Sequence, residues 1–181
     1  EPHTNQLRAP GNGVCTQCHK SSVYEAPSHH HHVTTSEGAA CVGCHMPQRN
    51  YMVIDGRRDH SMRVPRPDLS VVIGTPNACV QCHDDRDDRW ALDALRDWGV
   101  NFDDTSTHPA RTMVLARRAD GRAVPSLASL ALSEDAAAIW RATAMSELGG
   151  FSNQTAVDTA ATLLGSEDPM LRWAAVGSLG M

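Results

Sequence analysis

The sequence predicts a mainly α-helical chain in two parts, a loop-rich segment over residues 1–98 and an α-solenoid of helical repeats over 99–181. Three observations predict it. Six cysteines fall in three identical C-x-x-C-H motifs, all before residue 84. The intervals between the motifs are polar and broken by Gly and Pro, which favour turns. From about residue 106 the chain has no Cys, turns rich in Ala and Leu, and repeats itself. Aromatic residues make up only 4% of the 181, so a large all-protein core around residues 1–85 is hard to build. The 21 acidic side chains outnumber the 16 basic ones, which argues against nucleic-acid binding by bulk charge. No apolar run approaches the roughly 18 residues that span a bilayer. No segment has the shape of a signal peptide. The first residue is Glu1, so the chain reads as a processed protein or a fragment.

Residues 1–20 hold Pro2, Pro10, Gly11 and Gly13 and read as loop up to the first motif. Residues 21–40 are polar and carry the run His29-His30-His31-His32. Ser36-Glu37-Gly38 is a turn or helix-start signal before Cys41. Between the second and third motifs, Tyr51-Met52-Val53-Ile54 is the strand-like run, short enough that a packed loop is the alternative. Thr75-Pro76-Asn77 reads as an N-cap with Pro at the first helical position, opening a short helix for the third motif. The acidic stretch Asp84 to Asp88 suits a helix start. Trp90, Leu92, Ala94, Leu95 and Trp98 then predict an amphipathic helix ending at Gly99.

In the second part, Ala123 to Leu130 aligns with Ala156 to Leu163, and Ser133-Glu134-Asp135 with Ser166-Glu167-Asp168, at an offset of 33. Trp140 to Met145 aligns with Leu171 to Val176, and Leu148-Gly149 with Leu179-Gly180, at an offset of 31. Two Ala-rich helices per unit of this length predict an α-solenoid, in which each helix pair buries its apolar face on a neighbour.

The motifs read Cys15-Thr16-Gln17-Cys18-His19, Cys41-Val42-Gly43-Cys44-His45 and Cys79-Val80-Gln81-Cys82-His83. C-x-x-C-H is the attachment signature of c-type haem. One short turn presents two sulfurs to the porphyrin edge and an imidazole to the iron. Zinc sites, redox dithiols and disulfides also use paired cysteines. None of them requires His after the second Cys in three motifs out of three. Three covalently bound haem c groups are therefore expected, with His19, His45 and His83 as proximal ligands.

Seven further histidines remain for three irons: His3, His29, His30, His31, His32, His60 and His108. That supply permits a second histidine on every haem, with some to spare. Met46, Met52 and Met62 are the other sequence-local candidates. Four Arg residues flank His60, namely Arg57, Arg58, Arg63 and Arg66, and pairing with haem propionates competes there with a solvated face.

Tyr24 through the run His29 to His32, Ser36 to Pro47, Tyr51 to Asp55, Arg58-Asp59-His60-Ser61, Arg63 to Ser70 and Gly74 to Cys79 together resemble multihaem c-type cytochromes. In those proteins a haem domain precedes C-terminal helical repeats of HEAT-like or TPR type. The group is distantly related to multihaem nitrite reductases and hydroxylamine oxidoreductases. The resemblance covers roughly residues 1–98 and implies that His29, His32 and His60 are distal ligands. His30 and His31 are bystanders on that reading. Glu1-Pro2-His3 is similar to the tail of a further motif, which makes His3 an additional candidate ligand. The haems it implies are mostly low-spin and pass electrons along a packed chain.

The expected function is electron transfer, not enzymatic turnover. The repeats would dock redox partner proteins or a membrane-bound electron-transfer complex, and self-association is open to them. The alternative is a subunit or fragment of a multihaem oxidoreductase acting on nitrite, hydroxylamine or sulfur oxyanions, which needs an iron with an open position. Covalent haem c is attached outside the cytoplasm, so a periplasmic or extracellular location is expected.

Overall fold

Prolines start two of the first unit's helices, and a residue in the left-handed region stops each of those two. The structure is a computed structural model that describes residues 8–102 and 105–180. The chain is mainly helical and divides into two compact units, Glu1–Asn101 and Phe102–Met181. In the first unit, helix α1 spans Ser21–Tyr24 and α2 spans Pro27–His30. Helix α2 ends at His31, whose φ is 54°. The second motif is itself a helix, α3, over Cys41–His45. A two-stranded antiparallel hairpin follows, β1 over Gln48–Tyr51 and β2 over Asp55–Arg58. Helix α4, Pro67–Ile73, has Pro67 preset at its first turn and closes on Gly74 at φ 72°. Helix α5, Asp88–Asp97, is capped by the Asp87 carboxylate, which accepts from the Trp90 backbone N–H at 2.8 Å.

Three local expectations change. The apolar run Tyr51 to Ile54 is not a strand: Tyr51 ends β1, and Met52 and Val53 turn the chain with φ of 48° and 74°. The polar residues on either side form the strands, and both faces of the hairpin are exposed. No inward face means no alternation to read. The third motif begins in a 3₁₀ turn over Cys79–Gln81, and Asn77 caps it in place of Thr75. Helices α1, α2 and α4 carried no periodic signal, being four to seven residues long.

The second unit is a row of antiparallel helices: α6 over Pro109–Arg117, α7 over Ala123–Leu132, α8 over Ala138–Gly149, α9 over Gln154–Leu164 and α10 over Pro169–Leu179. The pair α7/α8 is one sequence repeat and α9/α10 the next. Helix α9 packs on α7, α10 packs on α8, and α6 covers the opposite side of the first pair. Asn153 and Asp168 cap α9 and α10 by accepting from the backbone N–H groups of Ala156 and Met170. Fifteen buried apolar residues form one continuous core, with Leu127, Met145, Leu148 and Leu171 at its centre. At Gly149 a Cβ would lie 2.6 Å from the Cβ of Ser178, so the ends of α8 and α10 meet there at backbone distance.

Among its described residues the first unit has no comparable core. Pro67, Leu69, Ala78, Ala91, Leu92 and Leu95 are buried around α4 and α5. Between residues 8 and 66 Pro47 alone is buried. Helices of four or five residues do not hold themselves in water, and a segment of this size without a core needs a staple or a bound group.

Candidate functional site

Each motif is one helical turn. His19 N–H donates to the Cys15 carbonyl at 2.9 Å, His83 N–H donates to the Cys79 carbonyl at 2.9 Å, and α3 contains the second motif whole. Residues at i, i+3 and i+4 share one side of such a turn, which gathers both sulfurs and the imidazole.

The turns are held by side chains that the motif does not name. Asn12 Oδ1 accepts from the Cys41 N–H at 2.9 Å and its Nδ2 donates to the Ala39 carbonyl at 3.1 Å, joining the first motif's approach to the second motif. Buried Asn77 accepts from the N–H groups of Cys79 and Val80 and donates to Asp88 at 2.6 Å, tying the third motif to α5. Arg58 donates to the Val42 and Met46 carbonyls at 3.2 and 3.1 Å and so closes the end of α3. For Asn77, two residues ahead of Cys79, a local signal was available, since Asn readily bonds to backbone two or three residues on, whereas the bonds of Asn12 span 27 and 29 residues and leave none.

All six thiols are free. Burial first, then the neighbouring Cys15, raises the Cys41 thiol above its ordinary pKa. Burial and then Cys82 raise Cys44, and burial and then Cys44 raise Cys79. A redox dithiol needs the opposite shift. Among the described residues no three Cys, His, Asp or Glu side chains converge to hold a metal ion by themselves. The zinc and disulfide readings therefore gain nothing from the geometry.

The histidines are arranged in pairs. The His29 and His45 rings have centroids 6.2 Å apart with planes 5° from parallel. The His32 and His83 rings are also 6.2 Å apart, at 38°. His45 Nδ1–H donates to the Arg63 carbonyl at 2.9 Å, and His32 Nδ1–H donates to the His30 carbonyl. Both bonds fix the ring and leave Nε2 as the free nitrogen, the arrangement expected of a metal-binding histidine. Gly38 makes room for His32, because a Cβ there would clash with the Cδ2 and Cγ of that ring.

The other histidines are engaged differently. His30 uses both nitrogens, Nε2–H towards the Glu25 carbonyl at 3.3 Å and Nδ1 accepting from the His32 N–H at 3.1 Å. His31 stacks on Trp98 at 4.2 Å. His60 donates from Nδ1 to the Arg58 carbonyl at 2.8 Å, and no aromatic ring lies against it among the described residues. His19 meets Tyr24 edge-on at 5.3 Å, and Tyr24 meets His29 in the same way. His108 accepts from the Ala110 N–H as the N-cap of α6, in the second unit. His3 lies outside the described residues. Three of the four Arg residues around His60 pair with protein carboxylates: Arg57 with Asp55 at 2.6 Å, Arg63 with Asp59, and Arg66 with buried Asp68 through two bonds. With Arg58 bound to carbonyls, all four have protein partners.

The residues fit haem c on three counts. Both sulfurs and an imidazole share each turn, two motif imidazoles each stand beside an imidazole of the run His29 to His32, and the segment lacks a core that a large apolar ring would supply. Fold and site thus define a helical-repeat chain with a cysteine- and histidine-rich unit in front. The model of the family of HEAT repeats matches residues 124–181, and those repeats are α7 to α10. No curated protein and no solved structure matches the chain.

Proposed function

We propose that the chain is a trihaem c-type cytochrome that relays single electrons through closely packed, bis-histidine haems. The observation that carries the proposal is the 6.2 Å spacing of two histidine pairs, each joining a motif histidine to one of the internal run. Cys15 with Cys18, Cys41 with Cys44, and Cys79 with Cys82 would hold the three haems as thioethers. His19, His45 and His83 would be the proximal ligands. His29 would complete the haem of His45, and His32 that of His83. His60 and His3 remain the candidates opposite His19. Each haem iron, when bound, takes up and gives back one electron. The protein's part is to fix both axial ligands, which keeps small molecules off the iron, and to bring the irons close together. His29 and His32 lie three residues apart, so their two haems are held as neighbours by one short stretch of chain.

The HEAT-like repeats offer a docking surface for a redox partner or a membrane-bound electron-transfer complex. The net charge of -5, made more negative by propionates, favours a partner with a basic patch. Attachment of haem c places the working site outside the cytoplasm, in the periplasm or beyond. No helix among the described residues is long and apolar enough to cross a membrane.

The oxidoreductase reading keeps one foothold. The ring beside His19 is the Tyr24 phenol, edge-on at 5.3 Å, and no second imidazole lies against His19 among the described residues. Absorption spectra of the oxidised and reduced protein, with and without carbon monoxide, separate the two. The carrier reading predicts low-spin bands and no carbon monoxide shift. A shift worth one haem in three would mark an open iron, move the reading to an oxidoreductase subunit, and call for nitrite and hydroxylamine turnover.

A further inference from the structure

The run His29 to His32 is divided at one residue. His29 and His30 lie on α2, and His31 ends that helix with φ of 54°, a region that residues with a side chain seldom enter. The turn sends His32 off the helix, so that His29 stays against His45 while His32 meets His83. The hydrogen bonds of this turn are local. The His31 N–H donates to the Pro27 carbonyl at 2.8 Å, and His32 bonds to His30 through its N–H and its Nδ1. No core lies beneath it, since Pro47 alone is buried between residues 8 and 66. Trp98 joins the turn to a helix that does have a core. The His31 ring stacks on the Trp98 indole, with centroids 4.2 Å apart and planes 8° from parallel. The same indole meets the His32 ring edge-on at 6.3 Å.

Trp98 follows directly on α5, which packs on α4 and buries Ala91, Leu92 and Leu95. Helix α5 also reaches the third motif. Asp88 accepts from Asn77 at 2.6 Å, and the Trp90 ring lies 4.7 Å from that of His83. Trp90, Ala94 and Trp98 are spaced by four and form one stripe along the helix. The two ends of that stripe meet the two histidines of one pair, Trp90 at His83 and Trp98 at His32. We propose that Trp98 is a positioning residue: by stacking on His31 it holds the turn that aims His32 at His83, and so sets the distal ligand of the Cys79/Cys82 haem. The inference rests on the haem reading above and deepens it. It gives His31, which the ligand assignment leaves out, a part in the site. Trp98 is 36% exposed and is not among the buried residues of α5, so its replacement leaves the packing of α5 on α4 in place.

The test uses the full, haem-loaded chain in its reduced state and follows carbon monoxide binding by stopped flow. On a bis-histidine haem, carbon monoxide enters when the distal histidine leaves, so the rate reads how firmly that histidine is held. An aromatic pair of this kind shifts such an equilibrium by about two- to tenfold. Trp98→Ala should therefore speed binding by about that factor at one haem in three. His31→Gly keeps the left-handed turn and removes the ring, and should have the same effect. Trp98→Phe should restore most of the parent rate. The double variant should be no faster than either single one, since both remove the same contact. His32→Ala is the reference and should open that iron outright. Parent rates in Trp98→Ala and His31→Gly, beside an open iron in His32→Ala, would overturn this inference and leave the haem assignment standing. No opened iron in His32→Ala would overturn the assignment of His32, and this inference with it. Faster binding at more than one haem in Trp98→Ala would also overturn it, for the indole would then brace the unit as a whole.

Discussion

His29 and His32 sit three residues apart, and each faces a different motif histidine. His30, between them, has both ring nitrogens committed to backbone. The four residues of the run are thus unequal although the sequence makes them identical. On the proposed assignment, His29→Ala opens the iron of the Cys41/Cys44 haem and His32→Ala that of the Cys79/Cys82 haem. Each variant should show one high-spin signal by electron paramagnetic resonance and bind about one carbon monoxide per chain. His30→Ala should leave the spectrum unchanged. Loss of axial ligation in His30→Ala, or none in the other two, would contradict the pairing. The sequence resemblance pointed to His29 and His32, but only the ring geometry shows which motif each one faces. The resemblance also points to His60, which donates to the Arg58 carbonyl and has no aromatic ring against it among the described residues.

A second residue-scale device starts α7. The Arg122 guanidinium and the Arg122 backbone N–H both donate to Asp120, which holds that carboxyl down at about 2. An unfolded Asp titrates near 3.9. The pair therefore adds stability that is complete above about pH 4 and is lost as pH falls through about 2. A carboxyl-detected NMR titration should find the Asp120 midpoint near 2. Arg122→Ala should move it up towards the ordinary carboxylate range. Arg122 is exposed and Asp120 is only partly covered, so the effect on global stability is small.

At the scale of elements, the legible ones were those that bury a periodic face. Helices α5 and α7 to α10 repeat apolar residues at helical spacing and end in polar or glycine stops, and their order could be read directly. The hairpin could not, because neither face is buried and Arg49 stands directly across from Arg57, a pairing of like charges. Helix α4 was hidden because Arg66, Asp68, Ser70 and Asn77 mix polar groups into its buried surroundings. The repeat register itself rests on one close approach. Gly149→Ala sets a methyl 2.6 Å from the Ser178 Cβ and 2.9 Å from its Cα, so α10 must move. Overpacking of this kind costs about 1–3 kcal/mol. A denaturant melt of the second unit should show that loss, and Ser178→Gly in the same chain should return part of it. An unchanged midpoint in Gly149→Ala would mean that α8 and α10 do not meet at this distance.

At the scale of the whole chain, the two units are built on opposite principles. The second closes a core of fifteen apolar residues by itself, and composition plus repeat period were enough to foresee it. The first strings short turns between three motifs with Pro47 as the single buried residue from 8 to 66. Its low aromatic content announced that deficit, while the paths of the chain between motifs depend on Asn12, Asn77 and Arg58, which no periodicity reveals. The central claim is that three haems supply what the protein does not. Intact mass spectrometry of the chain exported with haem-attachment machinery, after treatment with a thiol alkylator, tests it most directly. The account predicts the polypeptide mass plus three haems and no alkylated cysteine. The bare polypeptide mass with six alkylated cysteines would contradict it.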